Sequence, residues 1–78
     1  MRELPADDSW IDERLQAIGA RLRAARLHQN LTQERVYLAA RVDRSTLQDI
    51  EAGRGNPRFT TLARIAYVLD VPLDELTT

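Results

Sequence analysis

Five polar residues between positions 44 and 49 have the side chains best suited to specific hydrogen bonding. They are Arg44, Ser45, Thr46, Gln48 and Asp49. A guanidinium group can donate two hydrogen bonds to guanine, a carboxamide can pair with adenine, and a hydroxyl group can bond to either base. A carboxylate can accept from the amino group of cytosine. If one helix presents these side chains together, they are suited to contact base edges in the major groove of duplex DNA.

The apolar residues of the same segment predict a helix with one buried face. At about 100° per residue, Leu47 and Ile50 share one side of the helix, and the polar residues lie opposite or at its flanks. Asp43 is a suitable N-cap, and Gly53 suits the position after the last turn. We therefore predict a helix over residues 43–52 whose exposed face is polar.

Apolar periodicity predicts four further helices, at about residues 9–28, 32–40, 60–69 and 73–77. Ser9 is predicted to cap the first helix, with Asp12 as its capping-box acid. Thr32 is predicted to cap the second helix, and Thr60 or Thr61 the fourth. The expected fold class is all-α, a compact bundle of five short helices with no strand.

The composition excludes several classes of protein. A chain of 78 residues is large enough for one small domain, which argues against a substrate-enclosing enzyme. With no Cys and one His, the chain has no disulfide framework and too few ligands for a structural zinc site. No apolar run approaches the roughly 20 residues that span a bilayer. We expect a cytoplasmic protein that is not an enzyme, has no metal or cofactor, and does not bind membranes.

Charge is distributed unevenly along the chain, although its net value is only −1. Residues 1–13 carry −4 and residues 67–78 carry −3, whereas residues 14–66 carry +6. A basic central region is suited to phosphate groups. Residues 1–8 show no periodicity, so we predict a flexible acidic arm followed by one domain over residues 9–78.

The two central helices, joined by a short turn, have the helix-turn-helix pattern. From about residue 18 to residue 76 the chain resembles the Cro/repressor-type helix-turn-helix family, which includes phage lambda repressor and other bacterial and phage transcriptional regulators. The resemblance rests on Leu31-Thr32-Gln33-Glu34, Val42-Asp43-Arg44-Ser45-Thr46-Leu47, Ile50-Glu51-Ala52-Gly53, Asn56-Pro57, Leu62 and Val71-Pro72-Leu73-Asp74-Glu75-Leu76. It implies a lambda repressor-like domain whose helix-turn-helix spans residues 32–53.

The resemblance also implies roles for individual residues. The positions that meet base edges are occupied here by Arg44, Ser45 and Asp49, with Thr46 and Gln48 in supporting contacts. The positions that lie along the sugar-phosphate backbone are occupied by Gln33, Arg54, Asn56 and Arg58. A partly buried ion pair between the first and third helices is implied for Arg26 and Glu51.

Three positions depart from the family pattern. Arg41 stands in the turn where Gly is frequent, and it would carry about 1–2 kcal/mol of strain if its backbone were left-handed. Tyr37 replaces a small residue, so that either the two central helices separate or its ring leans towards solvent. Asp70 replaces a Gly that commonly follows a helix.

The function implied by the resemblance is sequence-specific binding of double-stranded DNA by a transcriptional regulator. Because one such domain contacts few base pairs, we expect a homodimer on a palindromic operator, with half-sites about 34–36 Å apart. Its helix at 43–52 would enter the major groove of each half-site. Candidate dimer contacts are Val71, Leu73 and Leu76 near the C-terminus, or Trp10 and Ile11 near the N-terminus. The expected location is the cytoplasm of a bacterial or phage-infected cell, on the nucleoid when bound.

Two alternatives keep the fold and change the role. The first is an antitoxin or partner-binding module whose acidic ends contact another protein. The second is an interaction scaffold that does not bind DNA, in which the polar face of the third helix is simply solvated. The basic charge of residues 14–66 argues against the second alternative, and capture of a toxin-like partner would favour the first.

Overall fold

The computed structural model describes residues 1–77, and five α-helices account for most of this range. They are α1 at Ser9–His28, α2 at Gln33–Ala40, α3 at Arg44–Glu51, α4 at Phe59–Val68 and α5 at Leu73–Thr77. The predicted all-α fold is confirmed, and no strand occurs within residues 1–77. Each helix boundary lies within one residue of its predicted position. Thr78, the last residue of the predicted domain, lies outside the described residues.

The start of α1 differs from the prediction. Ser9 is the first residue of the helix and Asp8 is the N-cap, without a side-chain capping bond. Asp7 Oδ1 instead accepts hydrogen bonds from the Ser9 amide (3.0 Å) and the Ser9 hydroxyl (2.7 Å). The predicted Ser9 cap with Asp12 as its capping-box acid is therefore wrong. Ser9 already lies inside the helix, and the Asp12 amide, which a Ser9 cap would have to hold, donates instead to the Asp8 carbonyl oxygen at 3.4 Å. The two bonds from Ser9 hold the pKa of Asp7 below its ordinary value, and the bond from the hydroxyl has the larger effect.

The other helix starts agree in part with the prediction. Thr32 caps α2 as predicted, and its hydroxyl oxygen accepts from the amide of the third helical residue at 3.1 Å. Asp43 occupies the N-cap position of α3 with an extended backbone but makes no side-chain capping bond. The cap predicted at Thr60 or Thr61 is wrong. Arg58 already has the extended backbone of an N-cap, so α4 begins one residue before Thr60.

Helices α1 to α4 all end in a Schellman motif. The left-handed residues are Asn30 (φ 57°), Arg41 (φ 58°), Gly53 (φ 73°) and Asp70 (φ 57°). The amide that follows each of them donates to a carbonyl five residues earlier, at Arg26, Tyr37, Asp49 and Ala66, over 2.8 to 3.1 Å. The motif reverses the chain sharply after each helix. Arg41 is left-handed, so it carries the backbone strain of about 1–2 kcal/mol that we predict for this conformation.

The hydrophobic core lies between α1, α2, α3 and α4. Its buried members are Leu22, Val36, Ala40, Leu47, Ile50, Ile65, Ala66 and Leu69. Leu47 and Ile50 therefore form the buried face of α3, as predicted. Tyr37 is half-buried and packs against this core. Trp10 and Ile11 in the first turn of α1 are more than a third exposed, so α1 begins outside the core.

Two glycines allow α1 to approach α3 closely. A Cβ atom on Gly19 would overlap the carbonyl oxygen of Ile50. A Cβ atom on Gly53 would lie 2.7 Å from Cγ and 2.8 Å from Cα of Gln16. Since real Cβ atoms essentially never come this close to backbone atoms, α1 rests directly on the last turn of α3 and on the turn that follows it.

Candidate nucleic-acid interface

The solvent side of α3 carries all five residues predicted to read bases. Arg44 and Ser45 are exposed, and Thr46, Gln48 and Asp49 are half-exposed. Leu47 and Ile50 anchor the opposite side, with 0% and 4% exposure. The helix therefore presents a continuous polar face of short hydrogen-bonding groups, which we call the reading face (Arg44, Ser45, Thr46, Gln48 and Asp49).

A buried ion pair fixes α3 against α1. Arg26 Nε donates to Glu51 Oε2 at 2.7 Å, and Arg26 Nη2 donates to Glu51 Oε1 at 2.9 Å. The two side chains are only 10% and 4% exposed. The hydrogen bonds to Glu51 raise the pKa of Arg26 above its ordinary value, against the opposing effect of burial. The parallel, two-bond geometry restrains the orientation of α3 as well as its distance from α1.

Two more groups complete the network around this ion pair. Arg26 Nη1 donates to the carbonyl oxygen of Leu31 at 2.9 Å, just before α2. Gln33 Nε2, at the first position of α2, donates to Glu51 Oε1 at 3.1 Å. No buried side-chain nitrogen or oxygen among the described residues lacks a hydrogen-bond partner. The network therefore ties α1, the start of α2 and the end of α3 into one unit beneath the reading face.

The loop between α3 and α4 lies beside the reading face. Arg54, Asn56 and Arg58 are exposed there, as phosphate-contacting side chains must be. A shallow concavity is lined by residues of both regions, among them Thr46, Asp49, Arg54 and Asn56. The fold thus brings part of the predicted base-reading set together with part of the predicted phosphate-contacting set. Gln33 lies apart from this loop, half-buried against Glu51.

Sequence reasoning missed one contact within this surface. Arg54 Nη2 donates to Asp49 Oδ1 at 3.1 Å, and the two side chains are 67% and 50% exposed. The sequence predicts Asp49 as a base contact and Arg54 as a phosphate contact, and it predicts no bond between them. The signal that could have revealed the pair is the Gly53 that precedes Arg54, since a left-handed residue there turns the chain back towards Asp49.

The candidate dimer residues differ in their surroundings. Val71 and Leu76 pack against the core of their own chain, whereas Leu73 is exposed. Trp10 and Ile11 are exposed to a similar degree. Sequence reasoning also missed three strongly exposed apolar side chains, Leu38, Phe59 and Tyr67.

A search of the described residues finds no group of three or more His, Cys, Asp or Glu side chains that could hold a metal ion. In the same part of the chain, no helix has both the length and the apolar character needed to cross a membrane.

This chain is similar to a known protein family and to a phage repressor. A family model described as helix-turn-helix matches residues 22–76. The immunity repressor protein of Bacillus phage phi105 is 36% identical over 59 residues, which cover 76% of this chain and 41% of the repressor. The chain therefore corresponds to about two fifths of that protein's length.

Two solved structures are similar in fold. The restriction-modification controller protein C.AhdI from Aeromonas hydrophila superimposes with a TM-score of 0.76 at 31% identity, covering 82% of this chain and 97% of that one. The clp gene regulator ClgR from C. glutamicum superimposes with a TM-score of 0.75 at 24% identity, covering 95% and 88% respectively. The second likeness concerns the fold alone.

Proposed function

Because the chain belongs to the helix-turn-helix family of DNA-binding transcriptional regulators, whose model matches residues 22–76, we propose that it binds duplex DNA sequence-specifically. Membership confirms the resemblance seen in the sequence, and the family is one of regulators and not of enzymes. The observation that carries the proposal is the reading face of α3, polar and exposed, on a helix fixed from behind by the Arg26–Glu51 ion pair.

In the proposed complex, α3 enters the major groove. Eight residues at 1.5 Å each make a helix about 12 Å long, comparable to the width of that groove. Arg44, Ser45 and Asp49 contact base edges, with Thr46 and Gln48 in support. The positive end of the helix, at Arg44, favours nearby phosphates.

Phosphate contacts supply most of the affinity in this proposal, and base contacts supply the choice of sequence. The contacting residues are Gln33, Arg54, Asn56 and Arg58. Exposure of the three loop residues supports their role. Gln33 braces α3 through Glu51, and we propose that the same amide group also faces the DNA backbone.

We propose that the active form is a homodimer on a palindromic operator, because one domain of this size contacts few base pairs. The exposed Leu73 makes the C-terminal surface available, and the exposed Trp10 and Ile11 offer the N-terminal alternative. We further propose that residues 1–8, which are exposed and outside any helix, form a flexible arm. The regulator would act in the cytoplasm of a bacterial or phage-infected cell.

Selection of duplexes from a random DNA pool by the purified protein tests this function. We expect a palindromic motif at near-physiological salt. Arg44→Ala should lose about 1–3 kcal/mol of discrimination between bases at particular positions. Arg58→Ala should lower the affinity for all duplexes alike and reduce the slope of log K against the logarithm of salt concentration by about 1. A folded protein that enriches no motif would refute autonomous sequence reading and direct attention to a protein partner. Equal effects of both substitutions would contradict the division between base and phosphate contacts.

A further inference from the structure

Asp49 is the one acidic side chain on the reading face, and it is joined to Arg54 by two hydrogen bonds. The Arg54 amide donates to the Asp49 carbonyl oxygen at 2.8 Å. The Arg54 guanidinium donates to the Asp49 carboxylate at 3.1 Å. A lone carboxylate at this position would be repelled by the phosphates of DNA. The positive charge of Arg54 therefore offsets the negative charge of Asp49 on this face.

We infer that Arg54 is a positioning residue for Asp49, and that it presents the carboxylate to DNA as a charge-compensated acceptor that selects cytosine. This inference rests on the proposed function and deepens it. The amino group of cytosine is the donor that a carboxylate reads in the major groove. Arg54 thus determines specificity through Asp49, in addition to any contact that its remaining N–H groups make with phosphate.

The backbone around Gly53 fixes the position of Arg54. Gly53 is left-handed, and its amide donates to the Ile50 carbonyl at 3.0 Å, which completes the Schellman motif. Gln16 of α1 packs against the face of Gly53 where a side chain would stand. The turn is therefore held from two sides, and Arg54 emerges from it directly over the last turns of α3.

The exposure of the pair argues against a role in folding. With side chains 50% and 67% exposed, an ion pair of this kind adds little to stability. By contrast, the same exposure leaves the carboxylate accessible from the groove side. A carboxylate has about four acceptor sites, so one bond to Arg54 leaves capacity for a base donor.

Removing either charge of the pair should change DNA binding in a different way. Asp49 and Arg54 together are neutral, so the pair adds no net charge to the interface. Asp49→Asn leaves the positive charge of Arg54 without its acidic partner. The slope of log K against the logarithm of salt concentration should therefore become more negative by about 0.9. Arg54→Gln leaves Asp49 uncompensated and should weaken binding to every duplex. The preference for cytosine, by contrast, should be lost at the same position in both variants.

The test is motif selection from a random duplex pool with the full chain and four variants. They are Asp49→Asn, Arg54→Gln, the double variant, and Arg58→Gln as a matched control that removes an exposed loop arginine. We expect the wild type to prefer cytosine at one position of each half-site by at least about five-fold. Both single variants should lose the preference for cytosine, and the double variant should lose no more of it. Because a carboxamide can pair with adenine, a gain of adenine at that position in Asp49→Asn also counts as this loss. Arg58→Gln should weaken binding and keep the preference.

The outcomes separate this inference from the proposed function. If Arg54→Gln weakens binding but keeps every base preference, as Arg58→Gln does, then Arg54 is only a phosphate contact and the inference is overturned. The same holds if Asp49→Asn leaves the motif unchanged. If the wild type itself enriches no motif, the proposed function fails first. Circular dichroism of each variant checks that it is folded, which the exposure of the pair leads us to expect.

Discussion

Removal of Arg26 should lower the free energy of unfolding, because Arg26 is the centre of the buried hydrogen-bond network. Arg26→Met keeps most of the side-chain volume and leaves the Glu51 carboxylate, only 4% exposed, with Gln33 as its remaining side-chain partner. Loss of one partner from a buried pair costs about 3–5 kcal/mol. Since small domains have only about 5–15 kcal/mol of stability, this is a large fraction of the total. Tm should fall by more than about 12 °C.

Urea denaturation followed by circular dichroism measures this loss. The matched control is Arg21→Met, because Arg21 pairs with Glu75 on the surface and both side chains are about half exposed. An exposed pair contributes up to about 1 kcal/mol. If Arg26→Met lost no more stability than Arg21→Met, our reasoning about burial would be refuted.

A compensating variant separates burial of charge from loss of packing. Arg26→Met combined with Glu51→Leu removes both charges and fills the space with apolar atoms, an exchange that is often neutral or stabilising. We expect the double variant to recover most of the lost stability. A double variant as unstable as Arg26→Met alone would mean that shape, and not the orphaned carboxylate, dominates the cost.

Three further predictions concern backbone geometry and titration. Arg41→Gly should raise the free energy of unfolding by about 1 kcal/mol, since relief of left-handed strain exceeds the entropic cost of Gly; a thermal melt with an unchanged or lower Tm would contradict it. Gly19→Ala should destabilise by about 1–3 kcal/mol in urea denaturation although Ala favours helices, because its methyl group would overlap the Ile50 carbonyl. The pKa of the Asp7 carboxyl, followed by NMR, should lie below its ordinary value, and Ser9→Ala should raise it back towards that value. Because the folded pKa is depressed, this contribution to stability is present above the unfolded pKa and is lost as pH falls through the folded value.

Local side-chain chemistry made much of the fold predictable. The spacing of Leu47 and Ile50 identified the buried side of α3. The Thr32 cap was correct because Thr32 has an extended backbone and its hydroxyl oxygen reaches the Arg35 amide. The Ser9 cap was wrong because the helix begins one residue earlier than a Ser9 cap requires, and the Asp12 amide bonds to the Asp8 carbonyl oxygen. Adjacent candidate caps cannot be ranked by residue type alone, since the outcome depends on which oxygen reaches the amide.

Contacts between distant residues were harder to predict. Periodicity treats a charged residue as solvent-facing, so it gave no reason to bury Arg26 beside Glu51; only the family resemblance paired them. The Asp49–Arg54 bond depends on the chain reversal at Gly53. The sequence predicts that α3 ends there, but it does not predict which side chain the reversal brings back to Asp49. Prediction from sequence therefore identified the exposed polar side of α3 and missed the ion pair between Asp49 and Arg54.

The position of Trp10 determines what fluorescence can report about this protein. It is the single tryptophan of the chain, and it lies in the first turn of α1, 39% exposed and outside the core. Its emission therefore follows the local environment of that turn, whereas circular dichroism follows all five helices together. Coincident transitions from the two signals would mean that α1 unfolds as one cooperative unit with the core. An earlier fluorescence transition would mean that the start of α1 frays while the DNA-binding part of the domain remains intact.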